Sequence, residues 1–180
     1  MATPPAAGRE LQVPVWDVVV RTFHWTVVTG CLLNLFILED GGTAHEIVGY
    51  IVAGVLAIRL IWGFVGTRYA RFADFVPTPR RLAGYLAALA QGREPRVIGH
   101  NPAGAVMMVA LMILLAGVSL TGWMMGLDAF WGEEWLEELH EGIANAILVL
   151  AGLHAAAALF ESWRHRENLV WSMVTGRKRA

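Results

Sequence analysis

Apolar residues in this chain fall into four nearly uninterrupted runs, at 18–38, 47–65, 103–125 and 143–160, separated by polar segments. Each run approaches the ~20 residues that a helix needs to cross a bilayer. None alternates apolar and polar positions with a period of two, as the strands of a closed barrel do. Helices are then the remaining way to satisfy backbone polar groups in lipid. The pattern predicts an all-α fold, a four-helix transmembrane bundle, with helices over about 18–38, 44–66, 102–125 and 141–163.

The segment between the second and third runs, 67–101, is polar and carries two helix-start signatures. Thr78-Pro79 sets a capping hydroxyl before a first-turn proline, and the amphipathic stretch to Ala90 suits a short helix lying on a lipid surface. Asn101-Pro102 repeats the signature where the third run begins. At the amino end, residues 1–12 contain proline and alanine without periodicity and read as a disordered tail, leaving 13–180 as one membrane domain. The amino end has no basic n-region, and the first run continues past Val28-Thr29-Gly30-Cys31, so this run reads as a retained span rather than a cleaved leader.

Composition narrows the class further. With 56% hydrophobic and 16% charged residues and a mean hydropathy of +0.50, the chain is too apolar for a soluble domain of 180 residues. The single cysteine, Cys31, leaves no intramolecular disulfide and no CxxCH for covalent haem attachment. A net charge of -1 conceals an uneven distribution. None of the 14 lysines and arginines falls in 22–58 or 97–163. By the positive-inside rule both termini and the 67–101 loop are cytoplasmic. The other two loops collect Glu39, Asp40, Glu46, Asp128, Glu133, Glu134, Glu137, Glu138 and Glu141 with no counter-charge. That face is either ordinary loop solvation or a docking surface, centred on Glu133, Glu134, Glu137 and Glu138, for a basic partner steered by long-range attraction.

Four of the 6 histidines lie in or at the ends of the spans. His140 and His154 are fourteen residues apart on the fourth, about 40° short of four full turns, so they share one stripe about 21 Å long. His24 lies about 9 Å inside the cytoplasmic end of the first span and His154 at a matching depth. His45 and His140 share the outer level. Two level pairs on three antiparallel helices point to two bis-histidine sites. Iron porphyrin suits them, because neutral imidazole is an axial ligand and the ring prefers apolar surroundings. A zinc site would gather three or four ligands instead. Gly49, one turn after His45, leaves room for a flat macrocycle; Ala144 and Ala158 hold the same place after His140 and His154. Arg21 and Arg59 are costly within spans, and each reads either as a snorkelling cation or as a group facing a partner. For Arg59 that partner would be a buried anion such as a haem propionate. His100 is either an interfacial histidine beside a helix cap or a contact for a quinone or a proton. The third span has neither charge nor histidine and reads as scaffold.

These residues carry a resemblance. Trp16-Asp17 with Arg21-Thr22-Phe23-His24-Trp25, His45-Glu46-Ile47-Val48-Gly49-Tyr50, Arg59-Leu60-Ile61-Trp62-Gly63-Phe64-Val65-Gly66 and Arg71-Phe72-Ala73-Asp74-Phe75 are its first half. Gly99-His100-Asn101-Pro102-Ala103-Gly104, Leu139-His140-Glu141, Leu153-His154, Arg166-Glu167-Asn168-Leu169-Val170 and Thr175-Gly176-Arg177-Lys178 continue it to the carboxyl end. Together they resemble the bacterial cytochrome b-561 and nickel-iron hydrogenase b-type cytochrome superfamily. The resemblance implies two haem b groups, ligated by His24 with His154 and by His45 with His140, and electron passage across a bacterial inner membrane. Hydrogenase-type members often have an additional transmembrane helix, which this chain lacks.

With the acidic outer face, the expectation is a two-haem wire between a periplasmic c-type cytochrome, or another outer-face redox protein, and the membrane quinone pool. A homodimer stays open. Two other functions compete: a superoxide-to-quinone oxidoreductase, which an acidic rim disfavours for an anionic substrate, and a haem-free membrane anchor subunit. No nucleotide-binding or flavin fingerprint appears, and nothing points to nucleic acid.

Overall fold

The computed structural model describes residues 11–180, and four of its helices are long and apolar enough to cross a membrane. Most of the expected disordered tail, 1–10, lies outside the described residues. Its last residue does not fit that expectation: Gln12 opens a short strand, β1 (Gln12–Pro14).

The first span, α1 (Val18–Phe36), starts where Asp17 in extended backbone accepts a hydrogen bond from Val20 N at 2.9 Å. This satisfies one of the N–H groups a helix start leaves free. The second, α2 (Thr43–Val65), stops at Gly66. A single turn, α3 (Phe72–Phe75), and the short helix α4 (Pro79–Ala90) follow. Thr78 caps α4 as the sequence requires, accepting from Arg81 N at 3.3 Å. α4 packs against the third span, and its buried Tyr85 reaches further, its hydroxyl donating to Glu161 at 3.3 Å. That third span, α5 (Pro102–Met125), begins at Asn101, whose side chain accepts from Gly104 N at 2.7 Å.

The fourth span, α6 (Glu134–Arg164), starts seven residues before the expected 141 and runs for 31 residues. At 1.5 Å per residue it is about 46 Å long, more than the ~30 Å of a hydrocarbon core, so its ends reach into water. Glu134 and Glu137 in its first turn complement the positive end of the helix dipole. A last helix, α7 (Leu169–Thr175), is ended by Gly176 at φ 79, a left-handed conformation that favours glycine. The chain closes in β2 (Arg177–Arg179), antiparallel to β1 with Val13 opposite Lys178.

In the bundle α1 packs on α2, α2 on α5 and α5 on α6. Val52, Leu56, Met112, Leu115 and Ile147 form its buried centre, with Phe23, Val27 and Cys31 of α1 against them. α1 comes close to α2 at Gly30, where a Cβ would stand 2.6 Å from Val52 Cγ2. Large apolar side chains face outward, Phe64 at 75% and Ile61 and Ile113 at 65% exposure. In water such a surface would be unstable; in lipid it is the solvated face. A second buried cluster, Val15, Trp16, Val20 and Ala70, closes the end of the bundle where the arginines gather. That basic end and the opposite acidic end each hold one of the two histidine levels.

Candidate functional site

At the acidic end, the start of α2 and the second turn of α6 bring His45 and His140 together, ring centroids 6.2 Å apart. At the basic end, α1 and the later part of α6 bring His24 and His154 together at 6.5 Å. A metal–imidazole bond of about 2 Å and a ring radius of about 1.2 Å place two axial imidazoles about 6.4 Å apart across a single metal. Both pairs therefore stand at the spacing of opposed ligands on one ion. Among the described residues, no three or more His, Cys, Asp or Glu side chains are grouped to hold a metal.

The acidic-end pair is oriented by its neighbours. His45 Nδ1 lies 2.8 Å from the Leu38 carbonyl. A carbonyl only accepts, so Nδ1 carries the proton and Nε2 is left as a lone-pair donor to a metal. His140 Nδ1 lies 2.8 Å from Thr121 Oγ1. A cavity of about 830 Å³ opens around the pair, lined by Asn34, Gly49, Trp131, Ala144 and both rings. It falls within the ~300–1,000 Å³ of cofactor pockets. A Cβ added at Gly49 would meet nothing within 4 Å, so the backbone there is open to a flat ligand. At Gly122 a Cβ would come 3.2 Å from His140 Cε1, so the glycine lets that ring lie against α5.

At the basic end, His24 Nδ1 is buried without a hydrogen-bond partner among the described residues. Arg59 is 1% exposed; its Nη2 donates to the Ala70 carbonyl at 3.0 Å and its guanidinium lies 5.4 Å from the centre of the Phe72 ring. Its Nε and Nη1 are buried without acceptors among the described residues. Such a cation is costly to bury, and two idle donors are what a bound anion would satisfy. Arg21, one turn before His24, donates from Nη1 to the Val174 carbonyl of α7 at 2.6 Å, which turns its head group toward that helix. His100 sits between Trp16 and Phe75, centroids 4.7 and 4.9 Å away. Burial, then the cations Arg59 and Lys178, lower its pKa to about 3, so the ring is neutral. Asp17 anchors this end by accepting from Trp62 Nε1 at 2.8 Å and Thr67 Oγ1 at 2.7 Å. Burial opposes its charge, yet these donors hold the carboxyl below its ordinary range.

The docking candidates Glu133, Glu134, Glu137 and Glu138 are all exposed at the acidic end, Glu133 accepting from Trp135 Nε1 at 3.2 Å. Two contributors were not legible as functional in the sequence. Thr121 stands behind His140 from the supposedly inert α5, and Asn34 Nδ2 donates to the His45 carbonyl at 3.1 Å. Their only sequence signal is a polar side chain inside an apolar run.

Facing imidazole pairs within an apolar bundle, one beside a cofactor-sized cavity and the other at the end of the bundle that also holds a buried arginine with idle donors, define a membrane haem protein of cytochrome b type. The chain belongs to the prokaryotic cytochrome b561 family, whose model matches residues 15–176. It is 27% identical to a probable Ni/Fe-hydrogenase B-type cytochrome subunit of Bradyrhizobium diazoefficiens, over 96% of this chain and 88% of that protein. Proteins given the same description in Rhodobacter capsulatus and Azotobacter vinelandii are 24% and 26% identical, over 94% and 93% of this chain and 82% and 89% of their own lengths. No solved structure matches at comparable significance. The protein is a multi-pass membrane protein of electron transport that carries haem b.

Proposed function

We propose that the chain carries electrons across a bacterial inner membrane through two haem b groups, one between His24 and His154 and one between His45 and His140. The observation that supports this best is the spacing of the two ring pairs, 6.5 and 6.2 Å, at opposite ends of one bundle. Haem b, when bound, supplies an iron that accepts and releases single electrons without changing its ligands. The chain's own residues do the rest. His45 presents Nε2 because its Nδ1–H donates to the Leu38 carbonyl. Arg59, and Arg21 at the edge of the same end, offer donors to propionate oxygens there.

The clustering of arginines at one end supports a cytoplasmic position for that end and for both termini. The exposed carboxylates at the other end, Glu133, Glu134, Glu137 and Glu138, support a basic periplasmic partner, a c-type cytochrome. Quinone is the membrane-phase substrate, with His100 the candidate contact for it or for its proton. A second reading has one observation behind it: relatives are described as hydrogenase subunits, which favours a hydrogenase as the outer redox protein. Superoxide as donor remains disfavoured by the carboxylate rim.

Haem quantified per chain in detergent-purified protein, with a reduced-minus-oxidised visible spectrum, tests the reading. Two haems are expected, falling to one in His24→Ala or His154→Ala and, separately, in His45→Ala or His140→Ala. A haem-free protein under ample haem supply would leave only the anchor function.

A further inference from the structure

The two histidine pairs differ in what stands behind the rings. At the acidic end both Nδ1 atoms are engaged, His45 on the Leu38 carbonyl and His140 on Thr121 Oγ1, each at 2.8 Å. The Thr121 hydroxyl has one proton to give, and the Gly117 and Val118 carbonyls compete for it at 3.0 and 3.1 Å. Its lone pair is therefore what His140 meets, and His140 Nδ1 donates. At the basic end neither His24 nor His154 has a hydrogen-bond partner among the described residues, and His24 Nδ1 is buried. An imidazole that donates from Nδ1 is more basic at Nε2 and favours the oxidised metal.

Charge acts in the same direction. Glu39, Asp40, Glu46, Glu137 and Glu141 line the acidic-end cavity, and among the described residues no lysine or arginine does. At the basic end the buried cations Arg59 and Lys178 act on His100, which also senses His154 of the pair; Asp17 faces Arg59, and Glu167 and Glu161 face Lys178, so the cations there are partly countered, whereas the carboxylates of the acidic-end cavity have no cation among its lining residues. Carboxylates favour ferric iron, the more positive state, and cations favour ferrous iron.

We propose that Thr121 is a positioning residue for His140 and that, with the Leu38 carbonyl and the cavity carboxylates, it sets the acidic-end site at a lower reduction potential than the basic-end site. This rests on the two-haem reading above. With both sites loaded, that order would favour passage of a single electron from acidic end to basic end, the donor site losing the electron the acceptor site gains, with no proton or bond transferred. The carbonyl, the hydroxyl and the carboxylates thus give the bundle a direction that the ligands alone do not.

Redox titration of the purified holoprotein, followed by visible spectra, tests this. Wild type is expected to show two midpoints, and the component lost in His45→Ala is expected to be the lower. Thr121→Val should raise the lower midpoint and leave the upper in place, while Thr121→Ser, which keeps the hydroxyl, should restore it. Should Thr121→Val lose its haem, Glu137→Gln with Glu141→Gln reads the same site through charge and should also raise the lower midpoint. Two haems with equal midpoints, a reversed order, or a lower midpoint unmoved by these substitutions would overturn the inference while leaving the two-haem reading intact. Fewer than two haems in wild type would overturn both.

Discussion

His100 should make the protein acid-sensitive in a defined window. In the folded chain its pKa is lowered from 6.5 to about 3, first by burial and then by Arg59, Lys178 and His154. An unfolded chain takes up a proton near pH 6.5 that the folded chain refuses. The folded value lies below the unfolded one, so stability is complete above about pH 6.5 and falls as the pH drops toward 3. Between pH 7.5 and pH 5 the difference works out to about 2 kcal/mol. For a chain of this size that corresponds to about 4–8 °C in midpoint. Thermal unfolding of wild type and His100→Asn in the same detergent, at both pH values, isolates the term because every other titrating group is shared. The wild-type midpoint should fall further than that of His100→Asn by that margin. Parallel profiles would refute the argument, since a ring that charges equally easily in both states contributes no slope.

Other substitutions test separate parts of the fold. Asp17→Ala removes the cap of α1 and the acceptor for Trp62 and Thr67, and should cost at least about 2 kcal/mol in chemical denaturation. The contribution of Asp17 in wild type should fade as the pH falls below 3.8, because its folded pKa lies beneath that ordinary value. Gly30→Leu forces α1 away from Val52 and should destabilise the bundle by about 1–3 kcal/mol, with loss of haem read from the visible spectrum. Replacing Glu133, Glu134, Glu137 and Glu138 by glutamine should slow electron exchange with a basic c-type cytochrome and flatten its salt dependence in stopped-flow measurements; an unchanged salt slope would rule that docking face out.

Much of the architecture can be read from the sequence because membrane spans announce themselves by length and composition. The caps at Thr78 and Asn101 are equally local, each needing only a polar side chain before a proline. Which histidines share a level follows from helical rise alone. The start of α6 is different. Its apolar signal stops at the membrane surface while the helix continues through Glu134 and Glu137 into water, where lipid no longer dictates composition. The pairing of β1 with β2 rests on three residues a side, too few to carry a period. Thr121 is hidden for a third reason. A hydroxyl in an apolar helix ordinarily satisfies itself on the preceding turn, as Thr121 does on Gly117, and only the approach of α6 reveals its second task.

One helix, α6, supplies a ring to each pair, whereas α1 and α2 supply one ring to one pair each. Its fourteen-residue interval therefore works as a ruler, fixing both the separation and the relative rotation of the two histidine pairs. Insertion or deletion of one residue between His140 and His154 would turn one ring about 100° away from its partner. The rest of that interval tolerates apolar exchange but not a change in length. For the two ring pairs to keep facing each other, the number of residues between His140 and His154 matters more than the identity of most residues that fill the interval.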